Sequence, residues 1–274
     1  MDYIIDNKAA WEEAFEHRHQ GWGDENYKIL LNERLPFFCP DVAEALQAMD
    51  FKDKHIAQFC CNNGRELLSL MQLGAKSGTG FDIAENIIKQ AEYTAQKAGI
   101  SNCRFHACNI LDIDQRYSNR FDFILFTIGA VTWFKDLNPL FRKVSDCLKP
   151  NGTLLIHDFH PVMNMLPMPG EPEFDGQDLN RITYSYFRNE PWIENEGMGY
   201  MSEQYHSKTF TSFSHTISDI INAISGSQMR IVRFDEFDYD VGLSDVYDGK
   251  GFPLSYLLKA EKAFSKKPSR LMLK

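Results

Sequence analysis

The chain has 274 residues, of which 43% are hydrophobic and 24% are charged, an ordinary globular composition that excludes a wholly disordered protein. This length corresponds to about two domains, or to one α/β domain with an elaboration. Lys and Arg number 29 and Asp and Glu number 38, and the formal net charge of −9 argues against a protein whose main task is to bind nucleic-acid phosphates.

The apolar pattern and the cysteines indicate a cytoplasmic protein. No window approaches 18 uninterrupted apolar residues, so we predict no transmembrane helix and no membrane partner. The N-terminal sequence MDYIIDNKAAWEEAF has neither the basic nor the apolar region of a secretory signal. The cysteines at positions 39, 60, 61, 103, 108 and 147 form no CxxC pair. We therefore expect reduced thiols and no metal site.

Residues 1–50 are predicted to form an N-terminal helical cap. Apolar side chains recur at helical spacing in residues 11–15 and 27–35, which is typical of amphipathic helices. Cys39-Pro40 then opens a third helix at residues 42–49, because proline is favoured in the first turn of a helix.

Residues 51–160 alternate short apolar runs with helical patterns. The predicted strands are residues 55–60, 77–81, 104–108, 121–126 and 153–157. The predicted helices between them are residues 65–73, 87–98 and 136–148. This alternation predicts an α/β fold with a doubly wound, mostly parallel sheet and right-handed crossovers.

The alternation stops after the fifth strand. Residues 160–214 are rich in Pro, Gly, Asn and Tyr, with strand-like patches at 182–187 and 205–213. A structureless loop of this length is improbable in a compact domain, so we predict a small β lid over residues 161–214, here called the inserted segment. Residues 215–274 then end the core with a helix at 216–225, strands at 229–237 and 253–260, and a basic tail at 259–274.

Polar residues follow the first three predicted strands, where ligands bind in a doubly wound sheet. Gly64 in the first turn lets the backbone approach a ligand, and Asn62 or Asn63 can adopt the left-handed conformation that glycine would otherwise supply. Asp82 closes the second strand, where an acid can accept hydrogen bonds from both hydroxyls of a ribose. Asn109 closes the third strand and could hydrogen-bond an adenine edge.

The chain resembles class I S-adenosylmethionine-dependent methyltransferases, whose first turn reads acidic-x-Gly-x-Gly-x-Gly. That pattern maps onto Gln58, Cys60, Asn62 and Gly64, so only the last glycine is kept. The wider similarity runs through FCCNNGRELLSLMQLGAKSGTGFDIAENIIKQA, NILD, FDFILFTIGAVTWFKDL and LKPNGTLLIHDFHP. SHTISDIINAI and the Tyr-rich inserted segment are similar to a small-molecule-type branch. Across about residues 50–262, the resemblance implies a seven-stranded Rossmann-like sheet whose last two strands are antiparallel.

The resemblance also implies a cofactor, S-adenosylmethionine, and residues that would contact it. The methionine portion would be lined by Cys60, Cys61, Asn62 and Gly64. Asp82 would bind the ribose, Asn109 and the Ile110 amide the adenine, and Ile83 would pack on the adenine ring. Phe126 and Thr127, at the end of the fourth strand, would lie beside the sulfonium and the acceptor.

Further residues are candidates for the acceptor side of the site. His160 follows the fifth strand and is the candidate catalytic base or substrate contact. Trp133 and His215 are candidate walls of the acceptor pocket, and Trp11 and Tyr27 could close over the site from the N-terminal helices. For each of these side chains, packing in the core is the alternative.

Together these features predict a methyltransferase that moves a methyl group from S-adenosylmethionine to a small molecule by in-line displacement. Proximity alone can contribute about 7–11 kcal/mol to such a reaction, so no conspicuous catalytic residue is required. A non-catalytic cofactor-binding protein is the alternative, suggested by the two missing glycines.

An NAD-dependent oxidoreductase is less consistent with the sequence, because residues 60–64 lack the G-x-G-x-x-G turn. Nucleic-acid methylation is disfavoured, since TIGA at residues 127–130 replaces the Asn/Asp-Pro-Pro-aromatic signature of amino-methylating DNA enzymes. We expect a monomer or homodimer with no nucleic-acid partner.

Overall fold

The computed structural model describes residues 2–242 and 244–263. The helices are α1 Tyr3–Glu16, α2 Asn26–Asn32, α3 Pro40–Gln47, α4 Arg65–Met71, α5 Glu85–Lys97, α6 Leu137–Cys147 and α7 Ile217–Gly226. The strands are β1 His55–Phe59, β2 Ser77–Asp82, β3 Cys103–Ala107, β4 Phe121–Phe126, β5 Leu148–Phe159, β6 Trp192–Glu194, β7 Phe210–Ser212, β8 Met229–Phe237 and β9 Ser255–Lys262. Within these residues, no helix is long and apolar enough to cross a membrane.

Seven strands form one sheet in the order β3-β2-β1-β4-β5-β9-β8. The first five pair in parallel, whereas β9 runs antiparallel to both β5 and β8. The predicted seven-stranded, doubly wound sheet is therefore confirmed. Its order reverses between β1 and β4, and the crevice outside the carboxyl ends of these strands is where such folds bind ligands.

The sheet is covered on both faces, which explains its nearly continuous apolar strands. On one face, Phe59 and Phe126 pack with Phe141 of α6 in a core that also includes α7. On the other face, Ile56 packs with Leu67 of α4 and with apolar residues of α3 and α5. The carboxyl edge between the two layers is left for polar residues.

The inserted segment contains a smaller sheet than its sequence suggested. Only β6 and β7 pair, antiparallel, at the carboxyl edge. The predicted patch at 182–187 is not a strand and the patch at 205–213 shrinks to β7. Ile182 and Phe187 are largely exposed, so they lack the partner strand that a β pattern requires. Most of the predicted basic tail, residues 264–274, lies outside the described residues.

Candidate functional site

A cavity of about 600 Å³ opens at the carboxyl edge of the sheet, within the size range of small-molecule sites. One end is formed by the turns after β1, β2 and β3. The other is formed by α1, the loop after β4 and the inserted segment. Of the predicted cofactor residues, the cavity is lined by Cys60, Asn62, Asp82, Ile83, Asn109, Ile110 and Thr127.

The turn after β1 keeps a left-handed backbone at each position where the resembled pattern has glycine. The φ angles are +53° at Cys60, +48° at Asn62 and +72° at Gly64. Left-handed conformations are costly for cysteine and less so for asparagine, whose side chain forms local hydrogen bonds. Asn62 does this through its Oδ1, which accepts from the Asn63 N–H at 2.7 Å. The turn is therefore left-handed at all three positions, although only one of them is glycine.

Cys61 and Gly64 belong to the same turn but do not line the cavity. Cys61 is fully buried in the core. A Cβ at Gly64 would lie 2.5 Å from Phe105 Cε1 and 3.0 Å from Ala91 Cβ. Gly64 therefore permits close packing of the turn against β3 and α5 rather than close approach of a ligand.

Asp82 joins the ends of β1 and β2. Its Oδ2 accepts from the Asn62 N–H at 2.8 Å, and its Oδ1 accepts from the Ala84 N–H at 3.2 Å. Burial raises the pKa of Asp82, while these backbone N–H groups act in the opposite direction. A carboxylate has about four acceptor positions, so Asp82 retains capacity for two hydroxyl donors from the cavity.

The end of β3 supplies a mostly apolar wall with one amide. Ile83 and Ile110 line this part of the cavity together with Asn109. The Asn109 Oδ1 caps a short 3-10 helix by accepting from the Leu111 N–H at 3.1 Å, and its Nδ2 donates to Asp112 at 3.1 Å. The Asn109 side chain thus holds this corner in place as well as facing the cavity.

The end of β4 is fixed by a buried amide. Gln58 stands at the acidic position of the resembled pattern, and its Nε2 donates to Thr127 Oγ1 at 3.0 Å. Its Oε1 accepts from the Leu67 N–H at 3.0 Å, so this side chain joins β1, β4 and α4. Thr127 faces the cavity, but Phe126 is fully buried against Phe59.

Asp158, near the end of β5, holds the loop after β4 and was not predicted as a site residue. Its carboxylate accepts from the backbone N–H groups of Gly129 and Phe159, and more distantly from Val131. Burial raises the pKa of Asp158 to about 7, against the effect of these hydrogen bonds. An acid inside an otherwise apolar strand was the sequence signal that could have identified it.

The cofactor end of the cavity also contains two unpredicted charged residues. Arg65 Nε lies 2.8 Å from Glu66 Oε1, and the two side chains neutralise each other. Nearby, Asn62 Nδ2 donates to the Tyr200 hydroxyl at 3.2 Å, which brings the inserted segment over the first turn. Burial raises the pKa of the Cys60 thiol, with a further contribution from Asp82, so this thiol stays protonated.

The other end of the cavity is walled by aromatic rings. The Trp11 ring lies edge-on to Trp133, with 5.4 Å between the ring centroids. Tyr184 and Trp192 of the inserted segment form a second edge-on pair at 5.1 Å. These four side chains line the cavity, so the structure brings together the predicted Trp11 and Trp133 with aromatic residues of the inserted segment.

Three predicted acceptor-side residues do not line the cavity. His160 lies on the opposite side of the chain from Phe159, and its Nε2 is 3.1 Å from Glu236 of β8. The His215 Nε2 donates to the Phe134 carbonyl at 2.8 Å, and Tyr27 packs edge-on against Tyr93 of α5. The site therefore places no histidine at the cavity within the described residues.

A seven-stranded sheet with an antiparallel last pair, and a cavity that runs from the first turn to an acid at the end of β2, define a class I S-adenosylmethionine-dependent methyltransferase. The chain belongs to the methyltransferase domain family, which matches residues 50–189.

Proteins with similar sequences include an uncharacterized protein and enzymes that are named for different substrates. An uncharacterized protein of Haemophilus influenzae is 24% identical over 68% of this chain and 71% of its own length. A tRNA U34 carboxymethyltransferase of Helicobacter pylori is 31% identical over 40% of this chain and 42% of its own. A ribosomal protein L11 methyltransferase of H. influenzae is 30% identical over 48% and 44%, respectively. The chain thus spans less than half the length of both named enzymes.

Solved structures share the fold over most of the chain. An S-adenosylmethionine-dependent methyltransferase from Clostridium acetobutylicum has a TM-score of 0.60 at 13% identity, over 89% of this chain and 98% of its own. A second one, from Methanosarcina mazei, has a TM-score of 0.59 at 17% identity, over 83% and 99%.

S-adenosylmethionine is the cofactor of this family, and the residues present fit it. The left-handed turn at residues 60–64 brings Cys60 and Asn62 to the cavity. Asp82 offers unused acceptor positions, and Ile83 and Ile110 offer apolar surface for a base.

Proposed function

We propose that this methyltransferase acts on a small molecule held in the aromatic end of the cavity. The observation that carries the proposal is that one continuous cavity is lined by Asp82 at the cofactor end and by Trp192 at the aromatic end. An acceptor enclosed by Trp11, Trp133 and the inserted segment would meet the cofactor away from bulk water.

The charges around the cavity support a small acceptor over a nucleic acid. Proteins that bind nucleic acids place Lys and Arg against the phosphates. Among the described residues that line this cavity, Arg65 alone is basic, and it pairs with Glu66. The relatives named for tRNA and ribosomal protein match less than half of this chain.

The proposed assignment of the cofactor residues follows their positions. Cys60, Asn62 and Arg65 would surround the methionine portion, Asp82 would accept from the ribose, and Asn109 with Ile110 and Ile83 would hold the adenine. Cys61, Gly64 and Phe126 would shape the turn and the strand end from within the core, without contacting the cofactor.

When bound, S-adenosylmethionine supplies a methyl group activated by its attachment to a sulfonium. This chain contributes orientation and exclusion of water. Gln58 fixes the Thr127 hydroxyl, and Asp158 fixes the loop that follows it, so the wall between the two ends of the cavity is rigid. Positioning two reactants in this way can contribute about 7–11 kcal/mol.

The same layout gives a proposed division of the chain. Residues 51–160 would form the cofactor-binding core, completed by the described residues from 215 to 263. The helices of residues 1–50 and the inserted segment at 161–214 would cover it. On this proposal α1 and the inserted segment enclose the acceptor together.

The proposal is tested with methyl-labelled S-adenosylmethionine and an extract of the source cells, separated into tRNA, protein and small-molecule fractions. We expect label to enter the small-molecule fraction, and to stay at background with the Asp82→Ala variant. Label in tRNA or protein, with none in the small molecules, would contradict the proposal. The Asp146→Ala variant on the outer surface of α6 is a matched control and should behave as the wild type.

A further inference from the structure

The acceptor end of the cavity carries an excess of negative charge. The charged side chains that line the whole cavity are Arg65, Glu66, Asp82, Glu171 and Glu194. Arg65 and Glu66 form an ion pair, and Asp82 is held by backbone N–H groups at the cofactor end. Two carboxylates, both from the inserted segment, are left at the aromatic end.

Neither of these two carboxylates has a basic partner. Within the described part of the chain, Glu171 and Glu194 form no ion pair. The Tyr184 hydroxyl donates to Glu171 Oε2 at 3.0 Å, a neutral partner that leaves the negative charge of Glu171 in place. Arg188, the arginine nearest to Glu194 in sequence, stacks on Trp192 at 3.9 Å and donates to backbone carbonyls instead.

The charge of Glu171 also acts on Glu194. The pKa of Glu194 is raised, first by burial and then by the charges of Glu171 and Glu196. Like charges close together disfavour the ionised forms, and a cation between them offsets that cost. The aromatic end of the cavity therefore favours a positively charged occupant.

The aromatic walls favour the same occupant. Trp and Tyr rings attract cations to their faces, and Trp11, Trp133 and Tyr184 line this end of the cavity. Because carboxylates and indole rings line one end of a single cavity, we infer that the acceptor is a small organic cation, recognised through an amine that is protonated at neutral pH. Where that nitrogen itself takes the methyl group, it first gives its proton to Glu171 or Glu194, because an ammonium has no lone pair; the new nitrogen–carbon bond then forms as the bond from the methyl carbon to sulfur breaks. This inference rests on the proposed small-molecule function and narrows it to a chemical class.

The inference is tested by calorimetry on the protein saturated with S-adenosylhomocysteine, using 2-phenylethylamine and its neutral isostere 2-phenylethanol as probes. The amine should bind at least about tenfold more tightly than the alcohol. In the double variant Glu171→Gln/Glu194→Gln this preference should fall below about threefold. The matched control is Glu203→Gln, an exposed residue of the same segment outside the cavity lining, which should keep the preference.

Equal binding of amine and alcohol by the wild type, or an unchanged preference in the double variant, would overturn the inference. So would the failure of both probes to bind. Unchanged affinity for S-adenosylhomocysteine and an unchanged circular dichroism spectrum in the double variant show that a lost preference is local.

The labelling experiment separates this inference from the function on which it rests. The small-molecule fraction is passed over a cation exchanger at pH 7 before the protein is added. Label in the retained, cationic compounds supports the inference. Label only in the compounds that flow through would support a small-molecule acceptor but contradict a cationic one. Label only in tRNA or protein would contradict both the proposed function and the inference.

Discussion

The side-chain amide of Asn7 pairs with the backbone of Thr211 as another strand would. Asn7 Nδ2 donates to the Thr211 carbonyl at 2.8 Å, and the Thr211 N–H donates to Asn7 Oδ1 at 2.7 Å. Asn7 is only 4% exposed. The pair attaches α1 to β7, so the N-terminal helix and the inserted segment form one wall of the cavity.

Replacing Asn7 with alanine should loosen that wall. Two partly buried backbone groups of Thr211 would lose their partners, at a cost of up to about 1–3 kcal/mol each. We expect the Asn7→Ala variant to unfold at a lower temperature and to be cleaved faster by protease within residues 161–214. Exposed Asn32 on α2 provides the control Asn32→Ala, and equal cleavage rates in the two variants would contradict the anchoring role.

Removing the carboxylate of Asp82 should weaken cofactor binding. The ribose hydroxyls would lose two hydrogen bonds to a charged acceptor, each contributing about 1.5–3 kcal/mol. We expect the Asp82→Ala variant to bind S-adenosylmethionine at least about tenfold more weakly in calorimetry. Because Asp82 also holds the Asn62 N–H, the Asp82→Asn variant, which keeps one acceptor oxygen, separates binding from folding. Unchanged affinity in both variants would mean that the ribose lies elsewhere.

The sequence was sufficient to predict the parts of the site that depend on strand order. It was not sufficient where the direction of a side chain decides whether that side chain faces the cavity. Asp82 and Asn109 could be placed because each closes a strand of a parallel sheet. His160 could not, since successive side chains of an extended chain alternate. Phe159 takes the direction toward the cavity, and His160 therefore points to Glu236. A difference of one position along the chain thus decides which side chain faces the cavity.

Tyr27 shows a second limit of the sequence. Its helical spacing correctly placed it on the apolar face of α2, but periodicity does not say which element that face meets. The structure packs it on Tyr93 of α5, and it does not line the cavity. Glu171 and Glu194 were missed for a related reason, because acids in a polar, glycine-rich segment carry no periodic signal.

A methyl group at Gly64 should destabilise the fold far more than one at Gly74. Both glycines have positive φ, +72° and +87°, so both alanine variants share the backbone cost. Only at Gly64 does the added Cβ meet Phe105, whereas Gly74 has open space. We expect Gly64→Ala to lose about 1–3 kcal/mol more of the free energy of unfolding than Gly74→Ala. Equal losses in urea titrations would contradict the packing role.

Asp158 should make stability depend on pH near neutrality. Burial raises its pKa to about 7 from an ordinary value of 3.8, so between these values the folded chain holds a proton that the unfolded chain has released. Stability from this group is therefore present at low pH and lost as pH rises toward 7. Asp158→Asn should remove this fall, and Asp146→Asn should keep it. Parallel curves of melting temperature against pH for wild type and Asp158→Asn would refute the assignment.

The left-handed cysteine and asparagine of the first turn have a consequence for how ready the site is. Glycine in such a turn moves among many conformations and must be ordered when a ligand arrives, and that ordering reduces affinity. Cys60 and Asn62 have fewer backbone conformations to lose, because their side chains restrict φ and ψ more than glycine does. The energetic cost of their positive φ angles is incurred when the chain folds. The turn is thus preorganised. A glycine-rich loop loses backbone conformational entropy each time it binds a ligand, whereas this turn has already lost that entropy during folding.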